Sequence, residues 1–274
     1  MSLAKVNFYS RTLNMRTEVS LALPEYPRQR MDGEDFKNKY PENLRFPVAY
    51  LLNGFTGDYT DFLTMIPIER YAYESGMAIV IPSGLNTWYE DIVGGPHMYS
   101  YIVNELPAYM EAMFPVQNDA KGRFIAGLSM GGRGAAVAAV KNPKKYNACA
   151  CLSAPLTEKG LYGWPNEFEE DQKWMVESLN VAVGDAAEGK FDYFSLVRKA
   201  IETGDKIPPI QYSIGTEDPI YKLEFSAIKQ FVDDTQIDVR IKVYEGGKHD
   251  FCVWDPAIHE ALQWFSSRFT DDCI

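Results

Sequence analysis

The chain has 274 residues, 46% of them hydrophobic, and a net charge of −11, enough for one large domain with a substantial core. The negative charge is spread along the sequence rather than gathered in a tail, which argues against nucleic acid or an anionic membrane surface as a partner. No apolar run approaches the roughly 18 residues of a membrane span, and Met1–Lys5 leads into a strand-like segment without a signal-peptide pattern, so a cytoplasmic protein is expected.

Residues 5–9 and 16–23 alternate as two strands, antiparallel at a sheet edge. Residues 24–46 carry mixed charge and three prolines and read as an exposed connection. Pro47–Leu52 is apolar throughout, the pattern of a strand buried on both faces. It ends in the glycine-rich turn Asn53-Gly54-Phe55-Thr56-Gly57-Asp58, ahead of a helix from about Asp61 to Glu74. Met77–Ile81 is the next buried strand. A loop rich in Trp, Tyr and Gly follows over 83–97, then a helical stretch from Met98 to Phe114 with Pro107 as a kink or restart.

Phe124–Ala126 is a further strand, followed by the helix-prone run Ala135–Val140, then a strand at Ala148–Leu152. Residues 154–208, with Trp164, Phe168, Trp174 and many acids, break the rhythm and read as a cap inserted into a single domain spanning 1–274. Ile210–Ile214 resumes the sheet, Tyr221–Val232 is helical, Val239–Tyr244 is a strand, and Pro256–Phe269 closes the chain as a helix. Strands alternating with helices predict an α/β fold with a mostly parallel sheet and helices on both faces. In such sheets the reacting residues lie at the carboxyl ends of the strands.

Four cysteines show no metal or redox spacing. Cys149 and Cys151, two apart in a strand, should share a face and pack as small hydrophobes, while Cys252 and Cys273 are single; a reducing compartment fits best. Neither paired histidines nor a phosphate loop occurs, so no metal or nucleotide cofactor is expected.

The chemistry gathers at Gly127-Leu128-Ser129-Met130-Gly131, a Gly-x-Ser-x-Gly set between a strand and a helix, the context of a nucleophile elbow. A serine hydroxyl needs a hydrogen-bonded base, usually a histidine oriented by a carboxylate. Of the three histidines, His259 lies within the final helix as a surface or packing residue, and His97 opens a helix. His249, in Gly246-Gly247-Lys248-His249-Asp250 after the last strand, is the base. Either Glu217 or Asp218, after the penultimate strand, could supply the carboxylate; Asp218 is preferred because Glu217 can point to solvent. The order Ser129, Asp218, His249 is that of α/β-hydrolases and differs from the chymotrypsin and subtilisin orders. The oxyanion hole is expected from the amides of Met130 and of Phe55, in the turn after an earlier strand.

These segments together resemble the esterase D-like branch of the α/β-hydrolases, especially the tributyrin esterase group. The resemblance rests on Tyr50–Gly57, Asn86–Asp91, Asn104–Pro107, Ala126–Gly132, Gly215–Tyr221 and Gly247–Trp254, and spans nearly the whole chain. It implies the triad Ser129, Asp218 and His249 with oxyanion donors Phe55 and Met130. It also implies action on short-chain, acetyl or feruloyl esters, with S-formylglutathione hydrolysis as a related activity. In one departure, this chain has Asn53-Gly54 where the tributyrin group usually has His-Gly.

A carboxylic ester hydrolase working through an acyl-enzyme is the leading expectation, on a small-molecule or carbohydrate-linked ester. Phe55, Trp88 and Tyr89, with Trp164 from the cap, are candidate pocket walls; the same aromatics would serve equally as packing. An S-formylglutathione-type thioesterase, an acyltransferase and a non-catalytic carbohydrate-binding module are the alternatives. Substrate and homo-oligomeric state are left open by the sequence.

Overall fold

The computed structural model describes residues 2–24, 42–163, 171–183 and 192–269. One eight-stranded sheet runs β1-β2-β4-β3-β5-β6-β7-β8. Its strands are β1 Ser2–Ser10, β2 Met15–Leu23, β3 Val48–Leu52, β4 Ala78–Pro82, β5 Arg123–Leu128, β6 Ala148–Leu152, β7 Ile210–Gly215 and β8 Val239–Tyr244. Strands β3 to β8 are parallel, while β2 pairs antiparallel with both β1 and β4. The α/β class and the antiparallel edge pair are those the alternation predicts.

The helices are α1 Asp61–Met65, α2 Ile68–Ser75, α3 (Met98–Ser100, a π turn Tyr101–Glu105, and Leu106–Met113), α4 Met130–Lys141, α5 Glu158–Gly163, α6 Asp171–Val183, α7 Tyr193–Glu202, α8 Pro219–Thr235 and α9 Phe251–Arg268. Side chains alternate across a strand, so β3 feeds two cores. Val48, Tyr50 and Leu52 pack with Tyr101 of α3, Val137 of α4, Val197 of α7 and Ile228 of α8. Ala49 and Leu51 pack with Tyr71 of α2 and Phe265 of α9 on the opposite face. Both faces are thus covered, which is why β3 to β7 are apolar or small nearly throughout. No described helix is long and apolar enough to cross a membrane.

Two helical readings need correction, and the restart expected at Pro107 is observed. The expected helix over 61–74 is two helices, because Ile66 is extended (φ −137°, ψ 154°) ahead of Pro67; a residue preceding proline is driven out of the helical region. The closing helix starts at Phe251 rather than Pro256. The Asp250 side chain caps it by accepting from the Cys252 amide, and Pro256 sits inside the helix. Over 98–113 the chain stays helical through the π turn before Pro107, whose ring would crowd the carbonyl four residues back in a regular α-helix. Glu105 in that turn accepts hydrogen bonds from Ser10 Oγ and from the amides of Arg11 (2.7 Å) and Thr12 (3.0 Å), closing the β1–β2 connection.

Between β6 and β7, where the sequence suggests a cap over 154–208, the structure has α5, α6 and α7. Trp164 and Phe168 lie outside the described residues, as do residues 25–41 of the early connection and Cys273. Helix α7 buries Tyr193, Val197 and Ala200 in the core beside α4, so it serves as a crossover helix of the sheet. Among the described residues of the insertion, those that line the cavity described below belong to its earlier part, from Pro155 to Met175. Cys149 and Cys151 share a buried face with their sulfurs 3.8 Å apart, and Cys252 is exposed.

Candidate active site

Strand β5 ends and α4 begins at Ser129, which holds φ 53° and ψ −121°. Few side-chain-bearing residues adopt this backbone, and its neighbours show how it is held. The Ser129 amide donates to Leu152 O (2.8 Å), and its carbonyl accepts from the Arg133 amide (3.1 Å). A Cβ at Gly131 would lie 2.1 Å from Leu52 O, and one at Gly127 would lie 2.4 Å from the Gly131 backbone. The two glycines of the pentapeptide therefore let α4, β5 and β3 converge.

The turns after β7 and β8 are similarly knitted. Glu217 N donates to Gly247 O (2.8 Å), Thr216 N to Tyr244 O (3.0 Å), and Gly246 N to Thr216 Oγ1 (2.9 Å). A Cβ at Gly215 would strike Gly247 O at 2.2 Å. This contact brings Asp218 and His249 together: His249 Nδ1 lies 2.9 Å from Asp218 Oδ2, and His249 Nε2 lies 3.0 Å from Ser129 Oγ. A carboxylate only accepts, so Nδ1 carries the proton toward Asp218 and Nε2 is left to accept from the serine hydroxyl. Asp218 is fully buried, and its second oxygen accepts from the Ile220 amide (2.9 Å), capping α8. Glu217, the other carboxylate open to choice in the sequence, is exposed. The indole of Trp254 meets the His249 ring edge-on at 4.9 Å and is itself fixed by a 3.0 Å bond from Nε1 to Ser153 Oγ.

His259 bonds Glu74 (2.8 Å) and stacks on Tyr71, and His97 stands at the start of α3 without a side-chain cap bond. Among the described residues, no group of three His, Cys, Asp or Glu side chains is placed to hold a metal.

A cavity of about 670 Å³ is lined by Ser129 and His249 together with Phe55, Trp88, Leu161, Trp174, Met175 and Trp254. Phe55 packs against Trp88 (5.8 Å between centroids) and Trp174 (5.1 Å), and Trp88 Nε1 donates to Ser178 Oγ on α6 (3.2 Å). Loop 83–97 and α6 thus meet around the mouth. Trp88 lines the cavity, whereas Tyr89 is not among its lining residues. The Tyr89 ring lies against Gly134 and Gly84, and its hydroxyl lies 3.0 Å from Asn53 Oδ1 and 3.1 Å from Asn53 O. Trp174, Trp254 and Met175 are lining residues that sequence reading left unassigned. Trp254 carried a signal, being five residues beyond His249 on the same turn and helix. Beneath the loop, buried Arg133 of α4 pairs with Glu90 (3.1 Å), tying the loop to α4.

The cavity wall from α5 rests on one buried carboxylate. Glu224 of α8 accepts from the amides of Leu156 and Thr157 (both 2.9 Å) and from Thr157 Oγ1 (2.7 Å), and a Cβ at Gly160 would lie 1.9 Å from it. Burial pushes its pKa up from the ordinary 4.5 to about 7, against the pull of those three donors. Between pH 4.5 and 7 the folded chain therefore keeps a proton that the unfolded chain releases. This contribution to stability is complete below pH 4.5, declines as pH rises to 7, and is flat above, with an amplitude of about 3 kcal/mol. Denaturant unfolding at several pH values should show this decline in the wild type and not in Glu224→Gln; equal slopes in both would contradict it.

Comparison with known proteins was consistent in kind. A family model described as "Esterase: Putative esterase" matches residues 10–265. An acetyl esterase of Caldicellulosiruptor saccharolyticus is 29% identical over 273 residues, covering 97% of this chain and 98% of that protein. The S-formylglutathione hydrolase FrmB of Staphylococcus aureus superposes with a TM-score of 0.79 at 26% identity, covering 97% of this chain and all of the other (100%). A ferulic acid esterase structure superposes with a TM-score of 0.76 at 21% identity over 98% of each chain.

Proposed function

The chain belongs to the esterase family of α/β-hydrolases, and from that premise we propose that it is a serine carboxylic ester hydrolase with Ser129, His249 and Asp218 as its triad. The observation carrying this reading is the continuous relay from Ser129 Oγ through His249 to Asp218 at the wall of the 670 Å³ cavity. Ser129 attacks the ester carbonyl as His249 Nε2 takes its proton, and Asp218 holds the imidazole in the required tautomer and stabilises the imidazolium. The amides of Phe55 and Met130 receive the oxyanion. Met130 N is one of the first amides of α4, which have no partner within the helix. His249 then protonates the leaving alcohol, and water repeats the sequence on the acyl-enzyme.

Phe55, Trp88 and Trp174 support a short or aromatic acyl group, and α5 and α6 act as the cap over it. Relatives that are an acetyl esterase and a ferulic acid esterase support the same range. Steady-state kinetics on acetyl, butyryl and feruloyl esters test the reading, and turnover of none of them would overturn it. The similarity to FrmB favours a second reading, hydrolysis of S-formylglutathione by the same machinery. A kcat/KM for S-formylglutathione well above that for an aryl acetate would select it.

A further inference from the structure

Asn53 is fully buried at the end of β3, and each hydrogen-bonding position of its amide is occupied. Nδ2 donates to Gly54 O (2.8 Å) and to Gly57 O (2.7 Å). Oδ1 accepts from the Gly84 amide (2.8 Å) and lies 3.0 Å from the Tyr89 hydroxyl. The orientation of the amide is fixed by its partners, since two are carbonyls that can only accept and one is an amide that can only donate. One side chain thus binds the turn at 54–57 to the loop at 84–89.

The partner that matters most is Gly54 O. It belongs to the same peptide unit as Phe55 N–H, and in a trans peptide the two point in opposite directions; the described chain contains no cis peptide. Gly57 N also donates to Gly54 O, at 3.3 Å. Holding the carbonyl end of that plane from both sides turns the Phe55 N–H away from Asn53. A donor on the carbonyl also polarises the peptide and strengthens its N–H as a donor, because chained hydrogen bonds reinforce one another. The turn also packs closely on the end of β5, where a Cβ at Gly54 would lie 2.7 Å from the Leu128 side chain and 3.5 Å from Ser129 Cβ.

We propose that Asn53 is a positioning residue for ester hydrolysis, setting the direction and donor strength of the Phe55 oxyanion amide through the Gly54–Phe55 peptide, with Tyr89 bracing Asn53 from behind. This rests on the serine-esterase reading given above. It also gives Tyr89 a role: its hydroxyl serves the oxyanion turn rather than the substrate.

The test uses the full chain with p-nitrophenyl butyrate as substrate and a butyl trifluoromethyl ketone as a tetrahedral mimic. In Asn53→Asp, carboxylate oxygens replace the donor facing Gly54 O and Gly57 O, and repulsion between acceptors turns the peptide. The expected result is a fall in kcat of about 100-fold, the scale of losing one oxyanion donor, with ketone affinity falling in parallel. KM should stay within about threefold, because the amide acts on the transition state rather than on bound ester. Tyr89→Phe keeps the donor pair and should lower kcat by about three- to tenfold with the same signature. It decides the matter should Asn53→Asp fail to give a native near-UV circular dichroism spectrum. A folded Asn53→Asp with kcat within about twofold of wild type, or lost activity without lost ketone affinity, would overturn the proposal. Absence of any ester turnover by the wild type would instead overturn the esterase reading.

Discussion

Ser129→Ala is expected to lower kcat/KM on the best ester by about 10⁴-fold or more, leaving only what oriented binding and the oxyanion amides supply. The loss follows from the Ser129 hydroxyl lying 3.0 Å from His249 Nε2. Covalent labelling by a fluorophosphonate should vanish with it, since that reagent reports the activated nucleophile rather than the pocket. The fold should be little affected, because alanine inherits the same positive φ and the hydroxyl's hydrogen bond among the described residues is to His249, a loop side chain. Labelling that survives in Ser129→Ala would remove Ser129 from its assigned role and reopen a non-catalytic reading of the cavity.

Asp218→Asn should lower kcat by about 10³- to 10⁴-fold while leaving the chain nearly as stable. The two effects separate because Asp218 does two things with its two oxygens. Oδ1 caps α8 through the Ile220 amide, a task asparagine performs equally well. Oδ2 receives the His249 Nδ1 proton. An amide nitrogen in that place would donate to Nδ1, so the ring proton would move to Nε2, which could donate to Ser129 Oγ but no longer accept its proton. Thermal unfolding together with kcat measures both. A large stability loss at unchanged kcat would make Asp218 a helix cap and nothing more.

Much of this arrangement was legible in the chain, for identifiable reasons. Strands β3, β5 and β6 are buried on both faces, so their sequences are apolar or small without alternation, and the turns at their carboxyl ends carry the glycines. Ser129, Asp218 and His249 each follow a strand, and strand ends are where such sheets place reactive groups. The misread helices all involve proline: Ile66 yields to Pro67, whereas α9 begins well before Pro256 under the Asp250 cap. The same residue type ends one helix and rides inside another, and the difference lies in tertiary support.

The aromatic loop was less legible. Leu85, Asn86, Trp88 and Tyr89 all hold positive φ, a backbone path that no periodicity announces and that sends adjacent rings in different directions. Trp88 therefore reaches the cavity while Tyr89 turns back to Asn53. The role of Asn53 depends on which carbonyls fold back toward it, and that exists only after the turn has formed. Trp174 was visible as an aromatic of the insertion, but its meeting with Phe55 required the placement of α6.

The backbone of Ser129 has a consequence for the durability of this protein. A residue with φ 53° and ψ −121° occupies a region where glycine is nearly free of strain and every other residue costs about 1–3 kcal/mol. Ser129→Gly should therefore unfold at a higher temperature than the wild type, by roughly 2 °C for each kcal/mol relieved in a domain of this size, although on the serine-esterase reading it cannot react. Any selection that rewards survival alone, in a heated library or a drifting gene, would favour the dead variant over the working one. On the serine-esterase reading, activity has to be maintained against the folding energetics of Ser129, so variants of this chain bred for heat resistance should be screened for turnover at every round.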